Sequence, residues 1–394
     1  MKHAATGRQI TGGRMLSWKA LVGITGIVGA VGAAAFALAF APAGETPPGS
    51  NLSPAPKPWE GKRFGCYPVK RPGLAKYEPQ HGCYLGAYVL QDHHVGNSMQ
   101  PFERLIQKPH ASYLRYVGYG RPFPKQWVEE CRKIGAVPNI ALEPNNGLDE
   151  VQDDAYLRQW ARDAFESRGP VFLRWASEFN GRWVKYHGNP RKYIQKFRMV
   201  ARLMKQYAPN VAMVWTPLWI PKWEITPYYP GDAYVDWAGI NIYAVHHHNG
   251  NLNWPGMQED PRDHLRWFYR RYAPRKPIQV SEFASTTQCK ACGQTMPEFA
   301  IEKMRLMYRS LPREFPRVKM IYWFSYDTLH TGAAENNYAI TNPQFPQVTE
   351  AYRDGIAAPH FLTRFRKGED YVLKELPLGE EALLPGLFRA VIQQ

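Results

Sequence analysis

Short apolar segments alternate with helix-like segments over residues 84–356, and this alternation constrains the fold more than any other feature of the chain. The apolar segments are rich in β-branched and aromatic residues and show little polar alternation, as in strands that are buried on both faces of a parallel sheet. Eight segments have this character: 84–89, 111–118, 137–142, 171–177, 211–216, 236–243, 278–283 and 318–325. Amphipathic helical spacing marks the segments 124–134, 153–168, 190–207, 261–273 and 295–311 between them.

Eight strands that alternate with helices predict an α/β fold, specifically a (β/α)8 TIM barrel. An open, doubly wound sheet is the competing arrangement, but no glycine-rich phosphate loop follows the first strand. Segment 217–235 is predicted to be a long loop that contains Trp219 and Trp223. Because it follows a strand, a barrel would place it on the face where active sites lie.

The N-terminus predicts export. Residues 1–19 contain Lys and Arg but no acidic residue, and residues 20–43 contain no charge. That apolar length is sufficient to cross a bilayer, and the flanking charge would keep 1–19 in the cytoplasm. A cleaved signal peptide is the alternative, with small residues at Ala37 and Ala39. Either interpretation places the rest of the chain on the periplasmic or extracellular face of the membrane, or in the medium.

Composition shifts divide the exported part into three segments. Residues 44–58 are rich in Pro and predict an extended linker that holds the next domain away from the membrane. Residues 59–356 would form the barrel domain. In the C-terminal extension 357–394, apolar residues between 383 and 392 predict a short amphipathic helix that docks on the barrel.

The chain is basic, with a net charge of +15, which favours anionic partners. Its Lys and Arg residues are scattered, and no zinc-finger spacing is present, so that a nucleic-acid partner is disfavoured. Aromatic residues make up 14% of the chain, a content that suits either a carbohydrate site or ordinary packing.

Five cysteines follow the predicted export signal. Outside the cytoplasm, Cys66–Cys83 and Cys289–Cys292 are the expected disulfides, which leaves Cys131 free. The alternative is a zinc site made of Cys289, Cys292, Cys66 and Cys83, although a single CxxC is a weak signal. Residues His246 to His248 cannot all face one ion from an extended chain, and they are predicted to form a subsite or a solvated loop.

Two glutamates stand at strand ends, where barrel active sites lie. Glu178 follows the fourth predicted strand and Glu282 closes the seventh. One such residue alone is more often a cap or an ion-pair partner. Two carboxyls across a barrel mouth provide what glycoside hydrolysis needs, namely an acid for the leaving oxygen and a carboxylate that attacks or activates water.

The segments around these glutamates resemble glycoside hydrolase family 26, which contains retaining barrel enzymes such as endo-β-1,4-mannanases. The similar segments are SEFNGRW at 177–183, VWTP at 214–217, YYPGDAYVDWAGINIY at 228–243 and VSEF at 280–283. The resemblance spans about residues 84–345. It implies that Glu178 is the general acid/base and Glu282 the nucleophile.

The resemblance also implies a set of substrate-binding residues. Tyr243 would donate a hydrogen bond to the nucleophile and help to keep it ionised. Trp323 would form the floor of the sugar site at the cleavage point, and Trp183 would stack on a neighbouring sugar. Further candidates for polar substrate contacts are Asn180, Arg174 and Glu143. Apart from the resemblance, Trp219 and Trp223 are either a stacking platform for sugar or part of the loop packing. No cofactor and no metal ion is implied.

One residue departs from the family pattern. The family's mannanases usually have His before the acid/base, whereas this chain has Ser177. The expected activity is therefore hydrolysis of a β-linked polysaccharide, either mannan-like or an acidic exopolysaccharide of the cell envelope, with β-glucan and xylan as alternatives. The rivals are a non-hydrolysing barrel that guides a polysaccharide and an interaction protein of an envelope polysaccharide-synthesis assembly.

Overall fold

A computed structural model describes residues 63–332 and 335–376. The predicted anchor or signal peptide 20–43, the linker 44–58 and the predicted C-terminal helix within 383–392 lie outside these residues. None of the helices in the described ranges is long and apolar enough to cross a membrane.

Parallel strands form a closed barrel, as the alternation of segments predicts. Each strand is hydrogen-bonded to the next along the chain, and the last pairs with the first, so that Trp323 lies opposite Ala87. The eight barrel strands are β1 (Cys83–Gln91), β2 (Ser112–Gly118), β3 (Val137–Glu143), β4 (Val171–Trp175), β5 (Val211–Trp215), β6 (Trp237–Ala244), β7 (Ile278–Ser285) and β8 (Val318–Tyr326).

Helices cover the outside of the barrel. The α4 helix buries Tyr193, Phe197, Val200 and Met204, which are the residues that its periodicity placed on one face. The long helices of the described residues are α1 (Met99–Ile106), α2 (Lys125–Lys133), α3 (Ala155–Glu166), α4 (Pro190–Tyr207), α5 (Pro261–Tyr272), α6 (Pro297–Glu314) and α7 (Pro346–Ile356), and a short helix spans Thr328–Thr331.

Local sequence signals fix the start of several helices. The Asp154 side chain accepts a hydrogen bond from the Leu157 backbone N–H at the start of α3, and Asn189 does the same for Lys192 in α4. Such caps satisfy backbone donors that have no partner within the helix. A proline is the first residue of each helix from α4 to α7, where its missing N–H is not needed.

The connection between β5 and β6 has no long helix among its described residues. Segment 217–235 instead contains two 3₁₀ turns, Lys222–Glu224 and Thr226–Tyr228. Aromatic rings cover the outer face of β5 in its place: the ring of Trp215 lies 4.9 Å from Tyr229 and 5.2 Å from Tyr272, centre to centre. This part of the barrel wall is therefore made by the loop residue Tyr229 together with Tyr272 at the end of α5.

The barrel interior is crossed by polar contacts below the glutamates. The Asn139 amide on β3 donates to Gln279 on β7 at 3.3 Å, and the hydroxyl of Thr216, just after β5, lies 3.2 Å from that of Ser281 on β7. Hydrogen bonds between strands that are not neighbours must run through the barrel centre. These contacts satisfy buried polar groups and fix the strands that hold the site.

The terminal segments of the described chain pair with each other. Strand Arg63–Pro68 runs antiparallel to Tyr371–Leu376, and the short strand Phe361–Leu362 adds to β1 beside Cys83. The first part of the predicted extension 357–394 thus contacts the barrel through strands.

The predicted disulfides are not present, because all five cysteines are unpaired in the structure. Cys66 lies in the terminal antiparallel sheet, whereas Cys83 begins β1 and its thiol points to the Tyr84 carbonyl. Burial raises the pKa of the Cys66 thiol to about 12. Both residues therefore behave as buried apolar side chains, and the prediction of a Cys66–Cys83 bridge is wrong.

Candidate active site

Glu178 and Glu282 lie at the carboxyl-terminal end of the barrel. Glu282 is part of β7, and Glu178 follows β4 in a turn in which its own φ is +54°. The Glu178 backbone N–H donates to the Thr216 carbonyl at 2.8 Å, which fixes the turn against the end of β5. A non-glycine residue in the left-handed region is strained, and such strain is common at functional sites.

Three side chains donate hydrogen bonds to the Glu282 carboxylate. Arg174 Nη2 lies 2.6 Å from Oε1, and Tyr116 also donates to Oε1. Tyr243 donates to Oε2. Arg174 and Glu282 form a buried ion pair, in which the arginine is fully buried and Glu282 is 1% exposed. Donors to both oxygens hold the carboxylate in one orientation.

Asn241 on β6 connects the two glutamates. Its Nδ2 donates to Glu178 Oε1 at 2.8 Å, and its Oδ1 lies 3.4 Å from Arg174 Nη2. A continuous chain of polar contacts thus runs from Glu282 through Arg174 and Asn241 to Glu178. The two carboxyls belong to one network that strands β4, β6 and β7 hold together.

The two glutamates of this network have different surroundings. Burial, and then the negative charge of Glu282, raise the pKa of Glu178 to about 8, although the Asn241 hydrogen bond and the Arg174 charge oppose this increase. At neutral pH Glu178 therefore holds a proton, while Glu282 has a guanidinium and two hydroxyl donors around it. A proton donor beside a carboxylate is the arrangement that acid-assisted nucleophilic displacement requires.

Glu143 supports the turn that contains Glu178. Its Oε2 accepts hydrogen bonds from the Ser177 backbone N–H and from the Tyr186 hydroxyl, each at 2.9 Å. Burial raises its pKa to about 7. Its Oε1 and the buried Ser177 hydroxyl have no hydrogen-bond partner within the described ranges. Glu143 thus positions the residue before Glu178, and its substrate contact stays a prediction.

Asn180 holds the loop that follows β5 in place through hydrogen bonds. Its Oδ1 accepts from the Leu218 N–H at 2.9 Å, and its Nδ2 donates to the carbonyls of Leu218 and Ile220 at 2.9 and 3.0 Å. The amide is fully buried. These bonds use the amide to connect the β4 loop to the β5 loop, so that a sugar contact by Asn180 also stays a prediction.

Trp183 and Trp219, which were predicted to contact sugar, lie in the loops around the site. The Trp183 ring is half-buried above Gly181, where an added Cβ would come within 2.2 Å of it. Glycine is therefore required at 181 for the ring to take this position. Trp219 is buried, with its ring 6.0 Å from Tyr243 and 5.7 Å from His264, whereas Trp223 is 78% exposed. Their predicted contacts with sugar are not tested by this geometry.

The prediction that Trp323 forms the floor of the site is wrong. Its ring points out of the barrel, 5.6 Å from Tyr352 on α7 and 6.5 Å from Tyr308 on α6. Successive strand residues face opposite sides, so the next residue, Phe324, points inward. The Phe324 ring lies 5.9 Å from Tyr243 and 6.4 Å from Tyr116, the two tyrosines that bind Glu282.

Sequence reasoning missed Tyr116, Asn241 and Phe324. The alternation of side chains along a strand contains a usable signal for Asn241, because it lies two residues before Tyr243 and must share its face. By the same alternation, Phe324 and Trp323 lie on opposite faces of β8. Tyr116 had no comparable signal, since β2 contributes no other residue that was predicted to be in the site.

Residues 146–254 match the sequence profile of the family described as Glycosyl hydrolase family 26. The chain is also 32% identical over 130 residues to the β-1,3-xylanase TXYA of a Vibrio species, which covers 32% of this chain and 25% of the relative. It is 24% identical over 283 residues to endoglucanase H of Acetivibrio thermocellus, covering 66% of this chain and 29% of that one. The chain thus spans less than a third of the length of either relative.

Solved structures show the same fold. A modular endo-β-1,4-mannanase from Cellulomonas fimi superposes with a TM-score of 0.54 at 15% identity, covering 73% of this chain and 77% of the mannanase. GH26C from a Muricauda species gives a TM-score of 0.51 at 14% identity, over 72% and 87% of the two chains. The predicted resemblance is thus confirmed: this chain is similar to glycoside hydrolase family 26, in sequence over residues 146–254 and in fold over most of the barrel.

Proposed function

We propose that this protein is an exported retaining glycoside hydrolase that cleaves a β-linked polysaccharide. The observation that carries the proposal is the network of Glu282, Arg174, Asn241 and Glu178, which places a carboxylate held by three donors beside a carboxyl whose pKa is raised to about 8. A barrel that only binds polysaccharide does not require such a pair.

The mechanism would be a double displacement with retention. Glu282 attacks the anomeric carbon while Glu178 protonates the leaving glycosidic oxygen, which breaks the bond and forms a glycosyl ester on Glu282. Glu178, now ionised, then removes a proton from water, and the water oxygen attacks the same carbon and releases Glu282. Tyr243, Tyr116 and Arg174 keep the nucleophile oriented through both steps.

Two properties bear on the substrate. Ser177 stands where the family's mannanases usually have His, and its buried hydroxyl has no partner within the described residues. The curated relatives are named a β-1,3-xylanase and an endoglucanase, and the solved relative is named a mannanase. The proposed substrate class is a β-linked polysaccharide, mannan-like or acidic, with β-xylan and β-glucan as the alternatives because curated relatives are named a β-1,3-xylanase and an endoglucanase.

Export and membrane attachment are part of the proposal. The uncharged segment 20–43, after a basic N-terminus, would anchor or export the chain. The enzyme would then meet its polymer on the periplasmic or extracellular face of the membrane, or in the medium. The net charge of +15 would favour a polymer with acidic substituents.

The proposal is tested by incubating the full-length protein, purified in mild detergent, with β-1,4-mannan, β-1,3-xylan, β-glucan and an acidic exopolysaccharide. We expect reducing-sugar release from at least one polymer and none from the Glu282→Gln variant. Proton NMR of the first product should show the β anomer. Polysaccharide binding without release from any polymer would instead support the non-hydrolysing barrel.

The opposite orientations of Phe324 and Trp323 give a second expected result. Phe324→Leu should lower kcat/KM by about 10- to 100-fold, because Tyr116 and Tyr243 lose the ring that holds them at Glu282. Trp323→Phe should leave kcat/KM within about twofold and lower the free energy of unfolding by about 1–3 kcal/mol, since it removes packing against the helices and the indole hydrogen bond to the Tyr338 carbonyl. Steady-state kinetics and urea unfolding distinguish the two. A larger kinetic loss in Trp323→Phe would contradict the outward orientation of that ring.

A further inference from the structure

Two loops that follow neighbouring strands bring two histidines and two cysteines together. His246 and His247 begin two residues after the end of β6, and Cys289 and Cys292 come after β7. Each residue offers one ligand atom, and these four atoms all lie within 4.8 Å of one another. The third histidine, His248, points elsewhere and contacts Glu259 at 2.8 Å.

The spacing of the ligand atoms fits a tetrahedral zinc ion. With Zn–S of about 2.3 Å and Zn–N of about 2.0–2.1 Å, adjacent sulfur and nitrogen ligands lie about 3.5–3.6 Å apart and two nitrogens about 3.3–3.4 Å apart. Cys289 Sγ lies 4.0 Å from His247 Nδ1, and Cys292 Sγ lies 3.8 Å from His246 Nδ1. The two Nδ1 atoms are 3.0 Å apart. Each of these three distances is within about 0.5 Å of the ideal distance between the same two ligand atoms.

The turn from Cys289 to Gly293 is shaped for a thiolate ligand. The Cys292 N–H donates to Cys289 Sγ at 3.3 Å, and the Gly293 N–H donates to the Lys290 carbonyl at 3.1 Å. Gly293 has a φ of +62°, which glycine adopts without strain. An N–H directed at a sulfur stabilises its negative charge and orients it, as outer contacts of metal ligands do.

Contacts outside the cluster hold both loops in place. Cys289 lies on a two-residue strand that pairs with Asn336–Asn337, and the Asn336 amide donates to the His247 carbonyl at 3.3 Å. The His246 ring meets the Phe299 ring edge to face at 5.8 Å. The four ligand atoms thus converge on positions that the fold itself supports.

We propose that His246, His247, Cys289 and Cys292 bind one zinc ion in a structural site. Two thiolates with two imidazoles suit zinc, and four protein ligands leave no open position for catalysis. The ion would join the loop after the strand that contains Tyr243 to the loop after the strand that contains Glu282. The site stands independently of the proposed hydrolysis, because none of its ligands contacts the catalytic pair in the described structure.

The ligand set differs from the expectations drawn from sequence. The weighed zinc site combined the CxxC with Cys66 and Cys83, but these two cysteines lie in the terminal sheet and at the start of β1. The favoured disulfide between Cys289 and Cys292 is absent as well. A metal site in which His246, His247 and His248 all bind one ion was excluded on the sequence alone. Two of these histidines are enough here, because the two cysteines provide the other ligands.

The metal content of the full-length protein, purified in mild detergent from zinc-supplemented cells, tests the proposal. Mass spectrometry of the metal should find about one zinc per chain. Cys289→Ser and His247→Ala should each lose most of it, while the matched variants Cys131→Ser and His81→Ala, at residues outside the cluster, should retain it. Chelation should lower the Tm of the wild type by several degrees and leave that of the ligand variants unchanged.

A spectroscopic measurement on the wild type covers the case in which ligand variants fail to fold. Cobalt(II) added to the chelated protein should give intense visible bands of a tetrahedral ion and a sulfur-to-cobalt charge-transfer band. Absence of both zinc and these bands would overturn the proposal. A Cys289–Cys292 disulfide in the peptide map of the non-reduced protein would overturn it equally, because a disulfide has no thiolate to bind the ion. Neither readout requires hydrolytic activity, so failure of this site and failure of the proposed function remain distinguishable.

Discussion

Glu282→Gln is expected to lower kcat/KM by more than about 10⁴-fold, the order of loss that follows removal of a nucleophile. It should also lower the free energy of unfolding by about 2–3 kcal/mol, because the buried Arg174 guanidinium loses its countercharge. The glutamine side chain of the variant keeps one oxygen that can accept a hydrogen bond, which limits the loss of stability. Steady-state kinetics on the active polymer and urea unfolding measure the two effects.

Glu350→Gln is the matched control for this variant. Glu350 lies on α7 with an exposed side chain, so its replacement should change neither activity nor stability measurably. If Glu282→Gln loses activity but keeps wild-type stability, the buried Arg174–Glu282 pair does not have the geometry described. Retained activity would exclude Glu282 as the nucleophile.

Glu178→Gln is expected to have the opposite effect on stability. The pKa of Glu178 rises from 4.5 to about 8 in the folded protein, so the folded state holds a proton that the unfolded state releases over this range. The stabilisation that this bound proton provides is present below pH 4.5 and is lost as the pH rises towards 8. The glutamine variant, always neutral, should therefore match the wild type near pH 4.5 and exceed it by up to about 4 kcal/mol near pH 8.

The same variant should lose kcat by about 10²- to 10⁴-fold on substrates whose leaving group needs a proton. With an activated aryl glycoside, the rate of the first displacement should be close to that of the wild type, because the aryl group leaves without protonation. In the wild type, kcat/KM should decline as the pH rises through about 8, where Glu178 ionises. Urea unfolding at several pH values and a pH–rate profile are the measurements. An equal stability difference at pH 4.5 and pH 8 would show that Glu178 does not hold the proton.

The barrel was predictable because its strands are buried on both faces, and continuous apolar runs are the consequence. The boundaries agree with prediction to within one or two residues for most strands, as for 278–283 against Ile278–Ser285. The fifth connection was less predictable in detail. Its aromatic residues have no helical spacing, and only the fold shows that Tyr229 packs on Trp215 of β5.

The site was predictable where a residue's position along a strand indicates its role. Glu178 and Glu282 were selected because they end strands, and the structure brings both into one network. Contacts between residues far apart in sequence were not predictable in this way. Tyr116 reaches Glu282 across 166 positions, and His246 meets Cys292 across 46. Trp323 was assigned to the wrong side because a shift by one residue reverses the direction of a side chain.

The aromatic cover of β5 also affects how this protein could change over evolution. Barrels usually separate stability in the core and helices from specificity in the loops, so that a loop can vary freely. Here segment 217–235 is part of the wall, because Tyr228 and Tyr229 pack on Phe179 and Trp215 and because Asn180 fastens Leu218. A substitution there would alter the packing of the barrel wall as well as the loop itself. Diversification of specificity should therefore accumulate in other loops, and this loop should be the slowest to accept insertions.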